Sequence, residues 1–210
     1  GSVSAGEHLG WERRSLSRLG GTLIDGAILV TPTTTPAQTA VPIVAVDPHV
    51  GAADAATVTV ANVEGARAAT EHLIALGHRR IAHLRGRTDL ESAQEREQGY
   101  RSALESAAIL DLADTPTAVF AANDLSAIEM MRVAAARGLR VPTDLSVVGF
   151  DDIIDAASHV PQLTTVRQPL PEMGTAAVRM LLDVLQGDKP EPIRMPTTLV
   201  VRESTAPPQP

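Results

Sequence analysis

The sequence predicts an α/β fold built on parallel sheets, and three observations carry that prediction. Short, continuous runs rich in valine and isoleucine recur along the chain, the pattern of strands covered on both faces. Amphipathic stretches with recognisable ends separate several of these runs, and strand–helix alternation builds βαβ units. The 210 residues are 44% hydrophobic but only 2% aromatic, enough apolar sequence to fill one large or two small cores.

Taken in order, the strand-like runs are 25–30 (DGAILV), 41–46 (VPIVAV), 57–60, 80–84, 117–122 and 146–150 (SVVGF). Asn62 suits the N-cap of a helix running to Leu76, with Gly77 as its stop. Asp124 suits the cap of another running to Arg137, stopped by Gly138. Pro171 opens a third, with Met173, Ala176, Ala177, Met180, Leu181 and Val184 on one face and Gly187 beyond its end. The last six residues, TAPPQP, read as a loose tail. Two places are irregular. Residues 31–40 are a short connection for two parallel strands. The stretch AAILDLADTP from Ala107 joins two helical patterns with no strand between them. Both read as places where residues of a longer unit are missing.

Composition excludes several chemistries. There is no cysteine, hence no disulfide, thiolate nucleophile or cysteine metal site; a reducing cytoplasm is compatible with that. The net charge of −7 and the lack of a long basic cluster make this stretch by itself a poor nucleic-acid binder. No apolar run approaches the roughly 20 residues of a membrane span.

Ligands of open α/β sheets bind outside the carboxyl ends of the strands, so the residues there are the site candidates. Asp47 follows VPIVAV; Arg85-Gly86-Arg87 follows RRIAHL and leads to Arg96; Asn123-Asp124 follows TAVFAA; Asp151-Asp152 follows SVVGF. An Asp, an Asn and an Arg converging on one place can hold hydroxyls through paired hydrogen bonds. Each also has an ordinary role, since Asp and Asn cap turns and an Arg pairs with nearby carboxylates. Catalytic readings find less support. Phosphate-loop, dinucleotide and nucleophile-elbow motifs are missing. His72, His78 and His83 lack zinc-ligand spacing and read as structural. Asp151-Asp152 with His159 could be acid–base partners, but nothing supplies a nucleophile or a metal. The methionines suit core packing, so no cofactor is expected. Trp11, in GWERRSLSRLGG, suits either a ligand platform or an interface.

Five separated stretches in order, TEHLIALGHRRIAHLRG, REQGYRSAL, PTAVFAANDLSAIEMMRVAAARGLRVPTDLSVVGFDDI, PQLTTVRQPLPEMGTAAVRMLLDVL and LVVRESTAPP, resemble the effector-binding core of the LacI/GalR family of bacterial transcription regulators. The resemblance implies a periplasmic-binding-protein-like type I fold with two doubly wound parallel-sheet subdomains and three crossovers. It assigns 1–60 and 164–190 to the first subdomain and 61–163 and 191–210 to the second. It implies a small-molecule effector, a sugar first of all, in the cleft between them, bound by Arg96, Asn123 and Asp151, with Asp47 a looser match. On that reading Asp124 keeps the helix cap. It also implies a homodimer in the cytoplasm, no enzymatic activity and no membrane partner. Operator DNA would be read by a helix-turn-helix that these 210 residues do not include. SVSAG would be the remnant of the family's second strand. The alternative on the same fold is a periplasmic sugar-binding protein of an ABC transporter.

Overall fold

In a computed structural model the chain is described over residues 24–32, 41–49, 56–109 and 115–209. The Trp11 stretch, SVSAG and most of the 31–40 connection lie outside them. The elements in chain order are β1 (Ala27–Val30), β2 (Ile43–Val46), β3 (Ala56–Val60), α1 (Asn62–Ala75), β4 (Ile81–Leu84), α2 (Glu91–Ser106), β5 (Ala118–Ala121), α3 (Asp124–Ala136), β6 (Ser146–Asp151), α4 (Ile154–Ser158), β7 (Thr164–Arg167), α5 (Leu170–Leu185), β8 (Ile193–Met195) and β9 (Thr198–Val200).

These elements form two compact units. The first holds the described residues up to Val60, a short piece Asp89–Glu91, and Pro169–Met195. Its sheet has the order β1-β2-β3-β8, all parallel. Alternation along the strands puts Val44 and Val46 of β2 and Val58 and Val60 of β3 on one face. Met173, Ala177 and Met180 of α5 close that face. The predicted periodicity of this helix and its Gly187 end (φ +95°) are present, and Pro171 lies in its first turn, one residue after the start at Leu170.

The second unit holds Ala61–Thr88, Ser92–Gln168 and the described residues from Pro196 on. Its sheet runs β4-β5-β6-β7-β9, parallel except for the last pair. Here the two-residue period separates two cores. Ala118 and Phe120 of β5 and Val148 and Phe150 of β6 face α1 and α2, where Ala66, Ala69, Leu73, Tyr100 and Leu104 meet them. Val119, Ala121 and Val147 point the other way, against Ala127, Met131 and Ala134 of α3 and Ala156 of α4. Helices cover both faces, which is why these strands read as continuous apolar runs.

Three expectations need correction. β7 pairs with β6 in the second sheet and β8 with β3 in the first. The chain therefore changes units after Gln168 and Met195, rather than at 163/164 and 190/191. The tail from Thr205 is not loose where it begins, and Ser204 before it is pinned. Ser204 is fully buried; its hydroxyl donates to the Val147 carbonyl (2.6 Å) and accepts from the Thr164 amide (2.8 Å). The Ala206 amide donates to Ser146 Oγ at 3.0 Å, and His78 Nε2 reaches the Ala206 carbonyl at 2.9 Å. Asn62 does not cap α1: Ala61 is the N-cap residue and no side chain caps that helix.

Candidate functional site

At the carboxyl end of the second unit's sheet, β6 finishes in Asp151 and Asp152. Both have left-handed backbones, at φ +124° and +59°. Such conformations are costly for residues with a Cβ and collect at functional sites. Hydrogen bonds hold each carboxylate. Asp151 Oδ1 accepts from Gln168 Nε2 at 2.6 Å and from Arg96 Nη1 at 3.4 Å. Asp152 accepts from Arg167 Nε at 2.5 Å and Arg202 Nη2 at 2.6 Å. Burial pushes the Asp152 carboxyl up, but the two arginines outweigh that and hold it below the usual range. Asp151 is thus turned toward Arg96 while Asp152 fastens the loop beneath it.

Arg96 comes from α2 and is only 6% exposed. Its Nε donates to Asn62 Oδ1 at 2.9 Å and its Nη1 to the Ala122 carbonyl at 2.6 Å. The guanidinium carbon lies 3.8 Å from the centroid of the Phe150 ring, a cation–π contact. Ala122 closes β5 and precedes Asn123, so Arg96 ties α2 to the ends of two neighbouring strands.

The strand-to-helix junction after β5 differs from the sequence expectation. Asn123 is the N-cap, in extended conformation, and its Oδ1 accepts from the Ser126 amide at 2.8 Å. Asp124 is fully buried instead. It accepts from the Thr165 hydroxyl and, at 3.0 Å, from the Ile153 amide. Burial lifts its carboxyl to about 6, against the lowering effect of those hydrogen bonds. The cap needs only the Asn123 oxygen, so its Nδ2 donor stays available at the strand end. Capping by Asn123 is therefore compatible with the ligand contact expected of it.

Of the four predicted contacts, the structure brings Arg96, Asn123 and Asp151 to adjoining strand ends of the second unit. Asp47 belongs to the first unit, just after β2, with φ +48° and its amide bonded to the Val58 carbonyl at 2.9 Å. Gln168 and the Asn62–Arg96 bond were not foreseen, and Glu95 was expected only as one of the carboxylates near Arg96 in sequence. Gln168 was visible as the polar residue ending the short run TTVR. Asn62 was visible only as a cap.

The histidines have structural partners. His78 bonds the Thr117 hydroxyl and the Ala206 carbonyl, and His72 bonds Thr205. His83 lies between the rings of Tyr100 and Phe120, at 5.0 and 4.9 Å, with Nδ1 on the Phe120 carbonyl. Burial lowers all three below the usual histidine value. His159 donates to the Pro161 carbonyl and Asp152 is tied to two arginines, an arrangement unlike an acid–base pair. Among the described residues no cluster of His, Cys, Asp and Glu could hold a metal ion. None of their helices is long and apolar enough to cross a membrane.

Comparison with known proteins gives a consistent result. A family profile described as "Periplasmic binding proteins and sugar binding domain of LacI family" matches residues 4–112. A second, for a periplasmic binding protein-like domain, matches residues 107–205. The HTH-type transcriptional regulator CelR of Thermobifida fusca is 40% identical over 173 residues, covering 70% of this chain. The chain spans about half of that relative's length, 51%. The ribose operon repressor of Halalkalibacterium halodurans is 34% identical over 95% of this chain and 68% of its own length. Among solved structures, a transcriptional regulator CelR–cellobiose complex superposes with a TM-score of 0.81 at 35% identity, over 96% of this chain and 71% of that one.

Proposed function

The chain belongs to the LacI family of transcriptional regulators, and from that premise we propose that it is the effector-sensing core of such a regulator, with a sugar as effector. The observation that carries the reading is the meeting of Arg96 and Asp151, with Gln168 and Asn123 beside them, at strand ends where open α/β sheets bind ligands. A guanidinium, a carboxylate and two amides match the alternating donors and acceptors of a polyhydroxylated ring. The two units correspond to the two subdomains of the family core.

The effector acts by binding one conformational state better than another. Its affinity and the operator affinity of the longer protein are then coupled reciprocally, on a scale of about 1–3 kcal/mol. A homodimer in the cytoplasm, reading a two-fold operator through a preceding helix-turn-helix, completes the proposal. The named relatives are transcriptional regulators; that favours this reading over a transporter's sugar receptor or an enzyme.

A thermal-shift screen against cellobiose, D-ribose and a panel of other mono- and disaccharides tests it. A ligand of the folded state stabilises it by RT ln(1 + [L]/Kd) and so raises Tm. We expect one sugar to raise Tm in the wild-type chain and to lose the effect in Asp151→Asn. A purine or phosphorylated metabolite acting alone would overturn the sugar assignment. Arg96→Ala is a poorer probe: it strips a donor from two buried acceptors, the Asn62 and Ala122 oxygens, and so weakens the fold as well.

A further inference from the structure

We propose that Asn62, held by Glu95, is the positioning residue of this site: it fixes the plane of Arg96 before any effector arrives. The proposal rests on the effector reading above. Asparagine at an N-cap turns its oxygen onto the first-turn amides; Asn62 is one residue past the cap, makes no cap bond, and is only 1% exposed. Its oxygen accepts from Arg96 Nε at 2.9 Å, and its Nδ2 donates to Glu95 Oε2 at 2.9 Å. A buried amide has to be hydrogen-bonded, and here it is held by a pair of opposite charges.

The orientation is over-determined. Turning the amide over would set NH2 against a guanidinium and oxygen against a carboxylate. Glu95 and Arg96 are consecutive on α2 and, as i and i+1, do not face one another. Asn62 bridges them, a neutral polarised group between a carboxylate and a guanidinium. With Nε anchored, the guanidinium lies flat on Phe150 and directs Nη1 to the Ala122 carbonyl and Asp151. Without that anchor the long side chain regains its rotamers, and the site must order it again on binding.

The test follows the Arg96 Nε–Hε resonance in the 15N-labelled full chain, identified by its loss in Arg96→Lys. It is protected from solvent exchange in the wild type. Asn62→Ala should abolish the protection, and the double variant Asn62→Asp/Glu95→Gln, which keeps an oxygen opposite Nε and puts an amide donor opposite the new carboxylate, should restore it. Protection that survives in a folded Asn62→Ala chain overturns the proposal, because a residue needed only to start α1 would lower Tm and leave Arg96 unchanged. Should Asn62→Ala not fold, Glu95→Ala decides: reduced protection supports the positioning role and unchanged protection refutes it. Calorimetry with D-ribose and cellobiose gives the functional side. Asn62→Ala should weaken a bound probe about ten- to a hundredfold, with the Asn62→Asp/Glu95→Gln pair near wild type; equal affinities in Asn62→Ala and wild type sink the proposal. A wild-type chain that binds no sugar overturns the effector reading instead, and the Hε signal still decides on Asn62.

Discussion

Asp124 shows how one buried carboxyl sets a pH dependence. Lifted from 3.8 to about 6, it favours the folded state in its protonated form. Its contribution to stability is therefore complete below about pH 4 and is lost as pH rises through about 6. A difference of about two units corresponds to about 3 kcal/mol. Asp124→Asn should remove this component. Its amide can accept from Ile153 and donate to the Thr165 hydroxyl, so the contacts survive without a buried ionisation. Urea unfolding at pH 4.5 and pH 7 should show the variant gaining on the wild type at the higher pH; parallel behaviour would mean Asp124 stays ionised throughout. At this scale the sequence was legible in kind but not in assignment. Asn123-Asp124 was recognisable as a strand-to-helix junction, yet which side chain caps depends on what packs above it. Thr165 and Ile153, 41 and 29 residues away, claim Asp124 and leave the cap to Asn123. Arg96 and Asp151 stood among the candidates by their places after two strand-like runs, but their pairing came from resemblance to a family, since neither spacing nor composition brings α2 to the end of β6.

Among the elements, the crossing of α1 and α2 is set by Gly99. A Cβ there would run into the Val63 carbonyl and would stand 2.9 Å from both Ala66 Cβ and the Arg67 amide nitrogen. Backbone cannot yield as a flexible side chain does, so Gly99→Ala should cost about 2–3 kcal/mol, read as a lowered denaturation midpoint. A wild-type midpoint would mean that the helices separate freely, and the Asn62–Arg96 bond across them would then have little support. The strands β2, β3, β5 and β6 were readable because Val-, Ile- and Ala-rich runs mark strands buried on both faces; β1 and β4 are only partly buried but kept short apolar runs. IRM of β8 and TLV of β9 were not. Each is three residues long, lies at a sheet edge and is only partly buried. Such strands are defined by their hydrogen-bonding neighbours more than by their own composition.

For the molecule as a whole, the division into units depends on residues distant in sequence. The first unit needs β8 to complete its sheet, and the second needs β9 and the segment pinned by Ser204. Ser204→Ala leaves the Val147 carbonyl and the Thr164 amide each without a partner. It should cost about 2 kcal/mol, with faster hydrogen exchange at the Thr164 amide as the local signature. Unchanged exchange there would show that the pin is dispensable. The sequence read this segment as a loose tail because proline and small polar residues favour irregular backbone. Irregular backbone can still be fastened, however, and a serine hydroxyl that both donates and accepts has no pattern in sequence. The same interleaving has a consequence for biosynthesis. A chain leaving the ribosome in order cannot finish either sheet until β8 and then β9 have emerged. Domains that fold one after the other during translation shelter their apolar faces early. Here the helices that cover the faces are made early, but the first sheet lacks an edge strand until β8 has emerged and the second until β9 has, so prematurely terminated fragments expose an unpaired strand edge of the kind that templates aggregation.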